Sequence, residues 1–263
     1  MKMTIVKHEL RRGKTALIIW TAAISFMLAL CVMIYPEMST QMGDISAMFA
    51  DMGSFSAAFG MDRINFGEFI GFFGVECGNV LGLGGAFFAA LVGISALAKE
   101  EKEHTAEFLL THPVSRGKVI AEKLCAIVAQ IVILNLVVIA VTALSILAIG
   151  EDVPVKTLVL LFLAYFLMQL EVAGITFGIS AFLRHGSLGV GLGLAAMFYF
   201  LNIVANLTEK AKTLKYITPF GYTEGADIIA ENAINGGYLA VGLALAVLGV
   251  VLAFWKYQRK DIA

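Results

Sequence analysis

The 263-residue chain is 59% hydrophobic and only 15% charged, a balance far too oily for a water-soluble domain of this length. Its 19 basic and 20 acidic residues leave a net charge of -1, so no basic surface for nucleic acid is indicated. Cys31, Cys77 and Cys125 are odd in number and lie in apolar segments, which argues for packing residues and against a disulfide framework or closed metal site.

In chain order, Met1 to Lys14 carry Lys2, Lys7, Arg11, Arg12 and Lys14, with Met3, Val6 and Leu10 at helical spacing, and predict a basic interfacial helix (residues 1–14) lying at anionic lipid headgroups. A hydrocarbon crossing takes roughly 20 apolar residues, and six segments qualify: 15–35, 69–98, 119–149, 157–183, 188–205 and 237–255. The first is too long for a signal-peptide core and no clear small-residue cleavage site follows it, so it is kept as a span. The fold class is therefore all-α, a polytopic membrane protein in one transmembrane domain (1–263). The second and third spans are long enough to tilt, break near glycine or project beyond the bilayer.

Lys and Arg set the orientation. The amino terminus, residues 99–123 (Lys99, Lys102, Arg116, Lys118, Lys123), Arg184 and the tail (Lys256, Arg259, Lys260) fall on one side; Arg63, Lys156, Lys210, Lys212 and Lys215 fall on the other. The positive-inside rule places both termini in the cytoplasm of a cell-membrane protein.

The outer segment 36–68 puts Met38, Met42, Ile45, Phe49 and Met52 on one seam. Its thioethers, with Met48 and Met61, suit a soft metal, but Ile45 and Phe49 in the same seam favour an amphipathic outer helix, and no metal site is assigned. In the second span Gly67, Gly71, Gly74, Gly78 and Gly82 form a small-residue ridge for close helix approach, while Glu76 sits toward its outer boundary.

Residues 99–117 are the one long charged interruption. On a helix Glu100, Glu103 and Glu107 share one face, with Thr105, Phe108 and Leu109 opposite; Pro113 stops the helix and Ser115 caps the next one beside Arg116. This is either a solvated loop helix or a cytoplasmic docking element. Arg184 and His185 mark a second, shorter turn on the same side.

Glu171, some 13 residues or roughly 20 Å from Arg184, lies inside the apolar layer, where a carboxylate is costly and must face the bundle interior, a water path or a subunit interface. With Gln130, Asn135, Gln169 and Asn202 it forms a candidate translocation path; interhelical hydrogen bonding is the competing reading. The last outer segment, 206–236, contains Y-I-T-P-F-G-Y (216–222), whose aromatics suit the membrane interface. No catalytic residues are assigned. There is no G-x-x-x-x-G-K-S/T loop, and His8, His104, His112 and His185 are scattered.

The run E-E-K-E-H-T-A-E-F-L-L-T-H-P-V-S-R resembles the charged signature of ABC-2 type transporter permeases. Glu100, Glu101, Thr105, Glu107, Leu109, Leu110, Pro113, Ser115 and Arg116 match, whereas His104 stands where that family usually has glycine. The resemblance extends to the layout of the whole chain, including the T-P-F segment at 218–220. It implies that 99–117 is a coupling helix, with Glu100, Glu101, Glu103, Thr105, Glu107, Phe108, Leu109, Pro113 and Arg116 docking on a separate cytoplasmic ATPase that binds the ATP and Mg. It further implies two permease copies, as homodimer or heterodimer, with two ATPases, working in export. The mostly apolar bundle favours an amphipathic or hydrophobic cargo such as a peptide, antibiotic or lipid. The alternatives are an ion-coupled secondary transporter using Glu171, and a noncatalytic scaffold recruiting partners through the glycine ridge.

Overall fold

The computed structural model describes residues 3–39, 52–65, 67–98, 115–183 and 187–259. Among them the regular structure is helical and there is no strand. The helices are α1 (Thr4–Ser39), α2 (Ser54–Ala58), α3 (Phe69–Cys77), α4 (Leu83–Ser95), α5 (Arg116–Ile149), α6 (Val155–Ser180), α7 (Leu188–Leu207), α8 (Gly225–Glu231) and α9 (Gly236–Arg259). A π-helical turn, Gly78–Gly82, joins α3 to α4, and 3-10 turns occupy Met61–Arg63 and Glu209–Tyr216.

Among the described residues six apolar helices are long enough to cross a bilayer, the α3–α4 pair counting as one, and even the 20-residue α7 spans about 30 Å. Their ends match by contact. The starts of α1 and α5 and the end of α9 meet at what is here called the terminal end, whereas Tyr35 at the end of α1 donates to the Gly67 carbonyl (3.0 Å) just before α3 at the far end.

Three features depart from the sequence reading. The basic segment expected as a separate interfacial helix is the first part of α1, a single 36-residue helix without a break between Lys14 and Thr15. Backbone hydrogen bonding continues through that junction because nothing there removes a donor; Pro36, which does, falls in the last turn. The second concerns the expected Met seam: Met38 packs partly buried against the core, Met52, expected on the same apolar face, is exposed, and Met42, Ile45 and Phe49, like Met48, lie outside the described residues.

The third departure is the segment between α7 and α8. Instead of resting at an interface, residues 217–224 turn back into the bundle and bury Thr218, Phe220, Tyr222 and Thr223. Thr218 donates to the Phe198 carbonyl (2.8 Å) near the middle of α7, and the Phe220 ring faces Gly82, the midpoint of the second span. Irregular backbone at this depth must satisfy its own polar groups. It does so through turns: Gly221 N–H to Thr218 (3.0 Å), Thr223 N–H to Phe220 (3.1 Å), and the Tyr165 hydroxyl to the Thr223 carbonyl (2.9 Å). Pro219 and Gly221 make the reversal. A Cβ on Gly221 would lie 3.0 Å from Lys215 Cα, leaving no room for a side chain.

The glycine ridge meets partners within this chain. Tyr165 of α6 lies over Gly78 and Gly82, Gln169 over Gly85, and Thr176 over Gly93, while Gly74 abuts Gly225 at the start of α8. On its opposite side α6 meets α9 along a second small-residue seam, Gly174 and Gly178 against Ala246 and Gly249.

Candidate functional site

The chain leaves the described structure at Ala98 and returns at Ser115. Glu100, Glu101, Glu103, Thr105, Glu107, Phe108, Leu109 and Pro113 therefore lie outside the described residues, as do Arg184 and His185. The described residues that flank this segment are Ala98 and, from Ser115 onward, the start of α5. Ser115 caps α5, its hydroxyl accepting from Lys118 N–H (3.4 Å), as its position before an apolar run predicts.

From there the first two turns of α5 complete the ends of three other helices. Arg116 donates to the carbonyls of Tyr257 and Gln258 (both 3.3 Å) in the last turn of α9. Glu122, 4% exposed, accepts from the otherwise orphaned N–H groups of Ile5 (2.9 Å) and Val6 (3.4 Å) at the start of α1. Lys123, 2% exposed, donates to the Ala96 carbonyl (2.7 Å) just past α4 and pairs with Glu9 (3.1 Å). The signs are correct throughout: an anion meets a helix N-terminus and cations meet C-termini. Displacing the start of α5 thus loads α1, α4 and α9 together.

Of these, only Arg116 was singled out from sequence. Adjacent opposite charges inside an apolar run at 122 and 123 were the available signal.

The candidate path residues do not share one face. Asn135 of α5 donates to Gln169 Oε1 of α6 (2.7 Å) and to its own Ile131 carbonyl (2.9 Å). Gln130 donates to Ala126 (3.3 Å) and packs against Gly13 of α1, nearer the terminal end. Asn202 turns to the far end, donating to Glu224 (3.4 Å) beside Asn206, which donates to the same carboxylate (2.7 Å). Glu171, two residues after Gln169, necessarily points away from it, toward α9. Its carboxylate is fully buried against Gly242, where any Cβ would overlap it, and neither oxygen completes a hydrogen bond among the described residues.

The re-entrant loop supplies the polar neighbour of Glu171, the buried Tyr222 hydroxyl. Tyr222 is buried there beside the Glu171 carboxylate. The loop is anchored at the far end by Asp227 of α8, which binds Lys215 (3.1 Å) and Arg63. Burial alone would raise the Asp227 carboxyl; Lys215 and Arg63 outweigh it and hold it below its usual value. Glu224 is the reverse case, raised by burial despite the Asn206 hydrogen bond and the cations nearby. Arg63 and Asp227 are 164 positions apart, and no local pattern announces the pairing.

A small cavity of about 50 Å³ lies beside this anchor, lined by the polar Asn79, Tyr165, Tyr199, Asn202 and Glu224 and by apolar residues such as Phe59, Ile64 and Val75. Tyr199 donates across it to Asn79 (3.3 Å). Glu76, half-buried on α3, accepts from the Cys31 thiol (3.7 Å) on α1.

A search of curated proteins finds no match. A family model described as ABC-2 family transporter protein matches residues 3–262, nearly the whole chain. With six apolar helices of spanning length and a family match of this extent, the chain belongs to the ABC-2 transporter family and is a multi-pass membrane permease, the transport component and not the catalytic one.

Proposed function

We propose that this chain is the membrane subunit of an ABC exporter for an amphipathic or hydrophobic cargo, driven by a separate cytoplasmic ATPase. Membership of the ABC-2 family carries the reading, because such a permease works with an ABC ATPase and this sequence has no phosphate-binding loop of its own. Residues 99–117 are the coupling segment. The acidic face of Glu100, Glu103 and Glu107 meets the ATPase, while Phe108 and Leu109 seat the helix. Arg184 and His185 add a second contact, and two permeases with two ATPases form the working unit in the cell membrane, termini cytoplasmic.

The bracketing of this segment by α5 supports the mechanism. Motion of the coupling segment acts on Ser115 and Arg116, and through Glu122 and Lys123 on the ends of α1 and α4. The bundle then responds as a unit, and its two small-residue seams are where packed helices slide with least obstruction. ATP and Mg belong to the partner. The test is cargo uptake into inside-out vesicles: ATP-dependent uptake abolished by Glu100→Lys, Glu103→Lys and Glu107→Lys supports the proposal, and uptake unchanged by that charge reversal overturns the docking role.

One observation favours a second reading. Glu171 is a fully buried carboxylate lacking a hydrogen-bond partner among the described residues, the kind of group that carries a proton in ion-coupled transport. Uptake driven by a proton gradient without ATP, and lost in Glu171→Gln, would select it.

A further inference from the structure

At the far end, the cavity beside the Asp227 anchor is walled by α3 and its π-helical turn, by α7 and by the re-entrant loop. Its polar wall is rich in acceptors. Tyr199 of α7 donates to Asn79 Oδ1 of the π-helical turn (3.3 Å), and Glu224 accepts from Asn202 (3.4 Å) and Asn206 (2.7 Å) of α7. The carboxylate fixes the orientation of both amides, because Nδ2 must face it, and so leaves each Oδ1 turned elsewhere. Asn202 is only 9% exposed and lines the cavity, and its Oδ1 has no partner among the described residues. A carbonyl oxygen buried in that position calls for a donor or a cation.

Charge decides between the two. Burial would raise the Asp227 carboxyl, but Lys215 and Arg63, in direct contact with it, hold it below its ordinary value. The same cations do not offset burial at Glu224, whose carboxyl stays above its usual value and whose contacts among the described residues are the two amide donors. Water would satisfy Asn202 but would add no charge beside this carboxylate. Among the described residues no three His, Cys, Asp or Glu side chains gather to hold a transition metal. One carboxylate among neutral oxygens suits a hard, singly charged cation instead, and the cavity of about 50 Å³ has room for such an ion with about two waters.

We propose that this cavity binds one monovalent alkali cation of the size of Na⁺, held by the Glu224 carboxylate, Asn202 Oδ1 and the oxygens of the Asn79–Tyr199 pair. The ion ties the re-entrant loop to α7 and to the π-helical turn at the point where those elements are otherwise joined by long hydrogen bonds, Asn202 to Glu224 and Tyr199 to Asn79. It does so whether or not transport is ATP-driven.

Scintillation-proximity binding of radiolabelled Na⁺ to the purified full-length protein tests it. Wild type should bind saturably, one ion per chain, with unlabelled NaCl displacing the label and N-methylglucamine chloride at equal ionic strength leaving it in place. Glu224→Gln and Asn202→Leu should each weaken binding about ten-fold or more, because ligand charge and number set the affinity of oxygen-ligand sites. Glu231→Gln, at the exposed end of α8, should leave it unchanged. No saturable binding by wild type would overturn the proposal, a result that requires no variant to fold. So would Na⁺ binding that survives unweakened in Glu224→Gln or in Asn202→Leu, since the ion would then sit elsewhere.

Discussion

A methyl group added at Gly178 should destabilise the protein relative to the same addition at Gly193, although both glycines sit inside apolar helices. A Cβ at Gly178 would lie 2.6 Å from the Gly249 oxygen, 2.7 Å from its Cα and 2.9 Å from its carbonyl carbon. These are backbone atoms of α9, so no rotamer change relieves the clash and the helices must separate. At Gly193 nothing lies within 4 Å. Both substitutions gain about 1 kcal/mol of helix propensity. Only Gly178→Ala meets an overpacking penalty of roughly 1–3 kcal/mol, which is therefore the expected difference between the two variants. SDS-titrated unfolding of the purified variants, followed by circular dichroism, reads it directly. Coincident transitions for Gly178→Ala and Gly193→Ala would refute the close contact of α6 with α9.

Lys123→Met should cost about 3 kcal/mol in the same assay, because it strips a cation from a site where Glu9 and the Ala96 carbonyl are held, and adding Glu9→Gln should recover part of the loss. Gly242→Ala places a methyl group on the Glu171 carboxylate; it should lower the thermal midpoint, and Glu171→Ala in the same chain should restore it, an outcome that fails if the two helices do not touch there. The far-end anchor makes stability pH-dependent. Since Asp227 is held below its unfolded value, its contribution is present above about pH 4 and is lost as pH falls through the folded value, so the midpoint should drop in acid and Asp227→Asn should flatten that drop. Glu224, held above its ordinary range by burial, acts with the opposite sign, its contribution fading as pH rises.

The spans were legible because a bilayer imposes a length and a polarity that hydropathy reads without knowing any contact. Ser115 was legible for a similar reason, its capping bond closing over three residues. The glycine ridge was visible as a pattern, but its partners were not: Tyr165 over Gly78 and Gln169 over Gly85 are pairings between distant segments, and only the assembled bundle chooses them. How the polar residues of the spans sit relative to one another was not legible, because residue type alone does not give rotation about a helix. Gln169 and Glu171 share a helix, yet one faces Asn135 and the other Gly242. The re-entrant loop was missed because Pro219, Gly221 and flanking aromatics equally describe an interfacial turn; what draws it inward is the space left by Gly82 and the acceptor at Phe198, neither local to it.

The role of this chain as the membrane partner of an ATPase is read from the composition of the complex purified through a tag on it in mild detergent. A stoichiometric P-loop ATPase, two copies with two permeases, should be retained in the wild type and lost when Glu107 and Phe108 are both replaced by alanine. A chain that purifies without any ATPase, and transports in vesicles on a proton gradient alone, would contradict that role.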